Sequence, residues 1–306
     1  MDVLWRNIPL VVTLTTVAAM PAFGQAVAPT VGPANSGKAS AASIPDFSGI
    51  WVHNPFFEPL PSGQPTALVN RSRRGDGGGG GNLPLVGDYT NPILKPEAAE
   101  VVKRHGEIGL KGIGDANPRN QCWPGGVPFD FSEGPTQLLQ QPDKVTILYN
   151  YDHHVRHVRL NQSHPAQVTP SWYGDSVGHY EGDTLVIDTV GIRVGPFAMV
   201  DWYGTPHTKA LHVVERYRLI DYEAAKEGFA RTPAGAVAQV MNPNSRGKSL
   251  QLQFTVEDEG AFTTPWTATM TYGFGPADWA EEVCAENIQW YSGKEAEVPR
   301  ADNPDF

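Results

Sequence analysis

Leu250, Leu252, Phe254 and Val256 alternate with Gln251, Gln253 and Thr255, so an extended segment here carries its apolar side chains on one face and its polar ones on the other. That is the signature of a half-buried strand. Trp266, Ala268, Met270 and Tyr272 repeat the period of two, and shorter strand patterns run over 144–151, 155–160, 176–180, 184–190 and 211–219, two of them flanking the tight Glu181-Gly182-Asp183 turn. An entry strand at 46–52 brings Trp51 as a core anchor. Helical spacing is scarce. Pro96 opens a short helix over 96–104 with acidic residues early and basic residues late, and Trp279, Val283, Cys284, Asn287 and Ile288 recur at three-to-four spacing over 277–290. Seven or more strands with short connections predict a mainly β fold, an antiparallel sheet closed into a barrel, with one or two flanking helices; closure removes the exposed edges. No fixed-period repeat is visible, which argues against propellers and solenoids.

The ends of the chain read differently. Over 1–24, Arg6, the apolar run from Ile8 to Met20 and Ala22-Phe23-Gly24 form the three parts of a secretory signal peptide. The run of about 13 residues is short of the ~20 that span a bilayer, so no stable membrane insertion is expected. Residues 25–43 hold almost no large apolar side chain and predict a disordered leader. The remainder, 44–306, is expected to be a single barrel domain, with a loop at 70–82 that carries Arg71, Arg73, Arg74 and five glycines from Gly77 to Gly81. That loop lacks the Gly-Lys-Ser/Thr ending of a phosphate cradle. Export implies a periplasmic or secreted location, where Cys122 and Cys284, the only cysteines, are expected to pair. The formal charge of -10 argues against nucleic acid as a partner.

Chemistry concentrates between Val145 and Val190, where His153, His154, Arg156, His157, His179 and Asp188 stand among apolar residues. Imidazoles titrate near neutral pH, so such a cluster points to proton transfer or pH-sensitive binding. Strand alternation puts His154, Arg156 and Val158 on one face and His153, Val155 and His157 on the other. If the first face is the lumen, a base stands beside a fixed cation able to hold a developing anion. His212 and Arg216 share one face of the next long strand; Val213, Glu215 and Tyr217 share the other. His207 sits at a turn before it, in position to act as acid or base at a barrel mouth. An inward Asp188 needs a partner, such as His179 or Arg156. No His-x-His pair suited to a strand-borne metal exists, and no metal is assigned; a composite of His154, His179, His207 and His212 stays open. Nucleophile-elbow and dinucleotide-binding patterns are missing, and no cofactor is expected.

Gly49-Ile50-Trp51 followed by an up-and-down run of strands resembles the first strand of lipocalin-like (calycin) barrels. The block from Pro170 to Thr189, with Pro206-His207-Thr208, the stretch from Leu211 to Arg216 and Val283-Cys284-Ala285-Glu286-Asn287, resembles a large group of exported bacterial proteins of mostly unassigned function. This chain departs from that group's pattern at Asp175, often His there, and at Tyr180, often Trp. The resemblance implies a shared barrel and a shared polar site. The expected function is cofactor-free acid-base catalysis of the lyase, hydratase, isomerase or hydrolase type on a small apolar or aromatic molecule. His154 or His207 would be base or acid, Arg156 the anion holder and Asp188 the orienter of an imidazole, with His179 and His212 as further catalytic candidates. Trp172, Tyr173, Tyr180, Trp202 and Trp266 would line the ligand's space. The alternatives are a non-enzymatic carrier and, for a lumen packed solid, a structural envelope component; oligomeric state is not legible.

Overall fold

The computed structural model describes residues 44–60, 64–72, 85–111, 115–231, 247–275 and 281–284. The expected signal peptide and leader, and most of the Gly/Arg-rich loop, lie outside them. In chain order the elements are β1 (Gly49–His53), β2 (Glu58–Pro59), α1 (Pro96–Leu110), β3 (Thr136–Gln140), β4 (Lys144–Tyr149), β5 (His154–Leu160), β6 (Asp175–Glu181), β7 (Thr184–Val190), β8 (His212–Ile220), α2 (Tyr222–Arg231), β9 (Ser249–Glu257) and β10 (Trp266–Phe274). Nine strands follow one another in the order β1-β3-β4-β5-β6-β7-β8-β9-β10, and β1 pairs back onto β10 to close the barrel; β2 adds a short pairing outside the ring, on β10.

The closed barrel matches the sequence pattern, with one correction: β5 and β6 pair in parallel. Residues 161–174 make this possible, since a chain leaving one end of β5 must travel back along the barrel before β6 can start beside it. Inward positions are set by the alternation. Val145 and Ile147, Leu185 and Ile187, and Leu250, Leu252, Phe254 and Val256 all join one buried apolar cluster. Trp266 sits in its centre, with ring centroids 5.9 Å from Phe254 and 5.7 Å from Phe262. Trp51 is buried too, its indole N–H donating to the Phe47 carbonyl at 2.9 Å.

Helices show where local pattern was incomplete. α1 runs on past Arg104 to Leu110, so its basic residues fall mid-helix and none stands in the last turn. Gly106 permits the extension by letting the helix lie against Val86, 3.0 Å from where a Cβ would be. Of the helix expected over 277–290 only 281–284 are described, and none of these residues is α-helical. α2 went unread although its start is marked: Asp221 accepts from the Ala224 amide at 2.9 Å and Glu223 follows in the first turn. Asp221→Ala should therefore cost about 1 kcal/mol, read as a lowered thermal midpoint. Among the described residues no helix is long and apolar enough to cross a membrane. Cys122 and Cys284 form the expected disulfide, with Cα atoms 5.4 Å apart.

Candidate active site

Register aligns Thr136 with Tyr149 and Tyr149 with His154, so the end of β4 and the start of β5 meet at one end of the barrel. Farther along β5, Arg156 points inward and is 1% exposed. Its guanidinium grips both carboxylate oxygens of Glu215 on β8, at 3.0 and 2.6 Å, and donates to Thr189 at 2.5 Å and Ser176 at 3.0 Å. Glu215 also accepts from the Tyr217 hydroxyl at 3.0 Å. Burial opposes the charge on Arg156, but the adjacent Glu215 outweighs it and the guanidinium is held more strongly protonated than usual. Four donor contacts are thus committed to the protein itself. The free anion-holding cation expected at this position is instead half of an internal ion pair.

The segment 126–135 covers this end of the barrel. Its short 3-10 turn, Phe129–Ser132, is buried throughout, and Asp130 within it is 1% exposed. One carboxyl oxygen, Oδ2, accepts from the Tyr173 hydroxyl at 2.5 Å; the other, Oδ1, has no hydrogen-bond partner. Burial pushes the Asp130 pKa up to about 7, with the hydrogen bonds from the Tyr173 hydroxyl and the Gly126 amide and the charge of Arg156 only partly opposing it. The ring of Tyr173 stacks on Tyr149, 5.5 Å away and 10° from parallel. His154 packs edge-on to Tyr173 at 5.8 Å, with Nδ1 4.0 Å from Asp130 Oδ2. His154 and Tyr173 are the partly exposed rim of the cluster.

Glu133 lies one turn further on. Burial raises its pKa to about 8, against the attraction of Arg119, whose guanidinium donates to Oε2 at 2.7 Å. Its Oε1 is unpartnered, as is Thr136 Oγ1, while the Tyr149 hydroxyl lies beside the Arg156 guanidinium. Burial also lifts the Tyr149 phenol well above its ordinary range, so that it remains a proton donor. Buried polar atoms are almost always paired. Three side-chain atoms within 130–136 without a hydrogen bond concentrate at this corner. Gly125 closes over it: a Cβ there would lie 2.2 Å from Asp130 Oδ1.

The other residues singled out from sequence are dispersed. His207 is buried in its loop, Nδ1 donating to the Thr208 carbonyl at 3.2 Å, and burial lowers its pKa. Asp188 and His212 face outward. Asp188 Oδ1 accepts from His212 Nε2 at 3.0 Å and from His164 Nε2 at 3.1 Å, neither of them the partner expected for it. Each of these imidazoles has its other nitrogen on a further carboxylate, Asp175 for His164 and Glu257 for His212, so a polar chain crosses the outer wall. Burial disfavours the Asp188 anion, but the two imidazoles outweigh this and hold its carboxyl below the usual range. His179 pairs with Glu181 at 3.0 Å in the β6–β7 hairpin. The composite metal site is not assembled, and no group of three or more His, Cys, Asp or Glu among the described residues has metal-holding geometry.

The aromatic residues divide as well. Trp266 is core, and the Tyr180 hydroxyl accepts from Gln140 at 2.9 Å. Trp202 packs on Phe129 at 5.2 Å and helps to line a small recess with Phe56, Phe57, Ser132 and Asp201. Trp172 belongs to a surface group with Trp123. Asp130 carries a signal in the sequence after all, a single carboxyl between two phenylalanines, and Glu215 shares its strand face with Val213 and Tyr217. No protein-family model matches this chain, and no curated protein or solved structure similar to it was found.

Proposed function

We propose that the protein is an exported, lipocalin-like barrel that performs cofactor-free acid-base chemistry on a small apolar or aromatic molecule, with Asp130 as the proton-transferring group. The observation that carries the reading is the Asp130 carboxyl: buried, held through Oδ2 by Tyr173 with Oδ1 roofed by Gly125, and with a proton affinity near neutrality. A base must lose its proton at working pH and regain it within one turnover, and a pKa of about 7 suits both steps. Tyr149 and the neutral form of Glu133 supply donors for a substrate oxygen that gains negative charge. Substrate enters by displacement of the Gly125-Gly126 backbone, past the His154 and Tyr173 rim. The disulfide supports an oxidising compartment, and hence a periplasmic or secreted location.

Loss of a carbon-bound proton to solvent is the step that lyases, hydratases and isomerases of this kind share. Ketones, enones and phenols offered in deuterated water should therefore exchange a C–H for C–D in the presence of the protein, faster as pH rises through about 7. Asp130→Asn should lower that rate about 10²- to 10⁴-fold while leaving the melting temperature at pH 7 no lower. Binding without exchange across the set would overturn the enzymatic reading and leave a carrier.

A further inference from the structure

Trp123 leaves 36% of its surface open, next to the disulfide-bonded Cys122. It is nonetheless fixed. Its amide donates to the Pro118 carbonyl at 2.9 Å, and its indole stands nearly perpendicular to Trp172 at 5.3 Å and to Phe197 at 6.1 Å. Trp172 is seated on Gly195, where a Cβ would come within 2.6 Å of the indole ring, and the Arg193 guanidinium lies over the same indole at 5.3 Å. Arg193 has no carboxylate partner among the described residues, in a chain whose formal charge is -10. A rigid exposed indole beside a held, unneutralised guanidinium fork is an arrangement that offers a stacking face and a bidentate donor together.

We propose that Trp123 and Arg193 form a binding site for a planar aromatic anion, an arene carboxylate, whose ring lies on Trp123 and whose carboxylate is taken by Arg193. Trp172 is the positioning residue: it carries the guanidinium over its ring and packs T-shaped against Trp123. The location gives the site a use. Gly126, where a Cβ would lie 2.5 Å from the Trp172 carbonyl, belongs to the same segment that covers Asp130, so a ligand held on the outside stands at the cover of the proton-transferring carboxyl. Binding here is independent of whether Asp130 transfers protons.

Calorimetric titration of the intact protein with naphthoate, and with naphthalenemethanol as the neutral analogue of the same shape, separates the two contributions. Naphthoate should bind roughly tenfold or more tightly than the alcohol, and Arg193→Gln should remove that difference without lowering the melting temperature. Trp123→Ala should weaken both ligands, and Gly195→Ala should weaken naphthoate by displacing Trp172 while the far-ultraviolet dichroism stays unchanged. Asp130→Asn should bind naphthoate as the parent does. Equal affinity for acid and alcohol, or naphthoate binding untouched by Arg193→Gln, would overturn the proposal, as would binding of a methyl glucoside in place of both arenes, which would make Trp123 a sugar platform.

Discussion

Glu215→Gln should destabilise the barrel by about 3 to 5 kcal/mol, because it strands a guanidinium that has no route to water. Arg156 and Glu215 are 1% and 0% exposed, and the two oxygens of the carboxylate take both prongs of the fork. An amide keeps the shape of the carboxylate and loses its charge. Arg156→Met should cost a similar amount by leaving the carboxylate alone, with Tyr217 as its remaining donor. The two changes together, Arg156→Met with Glu215→Leu, should recover most of the loss, since a well-packed apolar pair can replace a buried ion pair at little net cost. Urea unfolding midpoints for the three variants read this directly. A Glu215→Gln protein within about 1 kcal/mol of the parent would mean that water reaches the pair and that the barrel interior is not dry.

The contrast between Arg156 and Asp188 explains what the sequence could and could not tell. Strand patterns located eight of the nine barrel strands, all but β3, and alternation put His154, Arg156 and Val158 on a common face, because strand geometry is local. Parity alone does not say which face is inward. On β7 both faces are apolar, Leu185 and Ile187 inside and the buried Val186 outside, since the 161–174 crossover brings His164 and Val168 against the outer wall. Asp188 therefore looked like a buried carboxylate and is an outer one. Glu215 was the inward acid, on a face already grouped with Val213 and Tyr217, but the partner that fixes its role comes from β5, a long-range pairing that no local pattern encodes. Asp130 escaped for a different reason. It lies in an irregular segment without periodicity, and only the tertiary placement of that segment over the barrel end buries it.

That burial has a consequence for stability: the contribution of Asp130 and Glu133 should fall as pH rises from about 4 to 8, while His207, lowered by burial, acts in the opposite sense below 6.5. Asp130 is held to about 7 in the native state and Glu133 to about 8, whereas their unfolded forms ionise near 3.8 and 4.5. Between those limits the native protein keeps protons that the unfolded chain releases, so each unit of pH favours unfolding. At 1.36 kcal/mol per unit the two contribute on the order of 4 to 8 kcal/mol, and the Asp130 charge, once formed, raises Glu133 further. Asp175 and Asp188 act in the opposite sense: their lowered values add stability that is lost only as pH drops below about 4, outside this window. His212, raised by Asp188, contributes stability present below its unfolded value of 6.5 and lost as pH climbs through its higher folded one. Asp130→Asn with Glu133→Gln leaves these outer groups untouched. Subtracting its stability profile from that of the parent therefore isolates the two buried carboxyls, and the double variant should become the more stable protein by pH 8. Parallel profiles across pH 4 to 8 would show that neither carboxyl holds its proton, and with that the proton-transfer role of Asp130 would lose its basis.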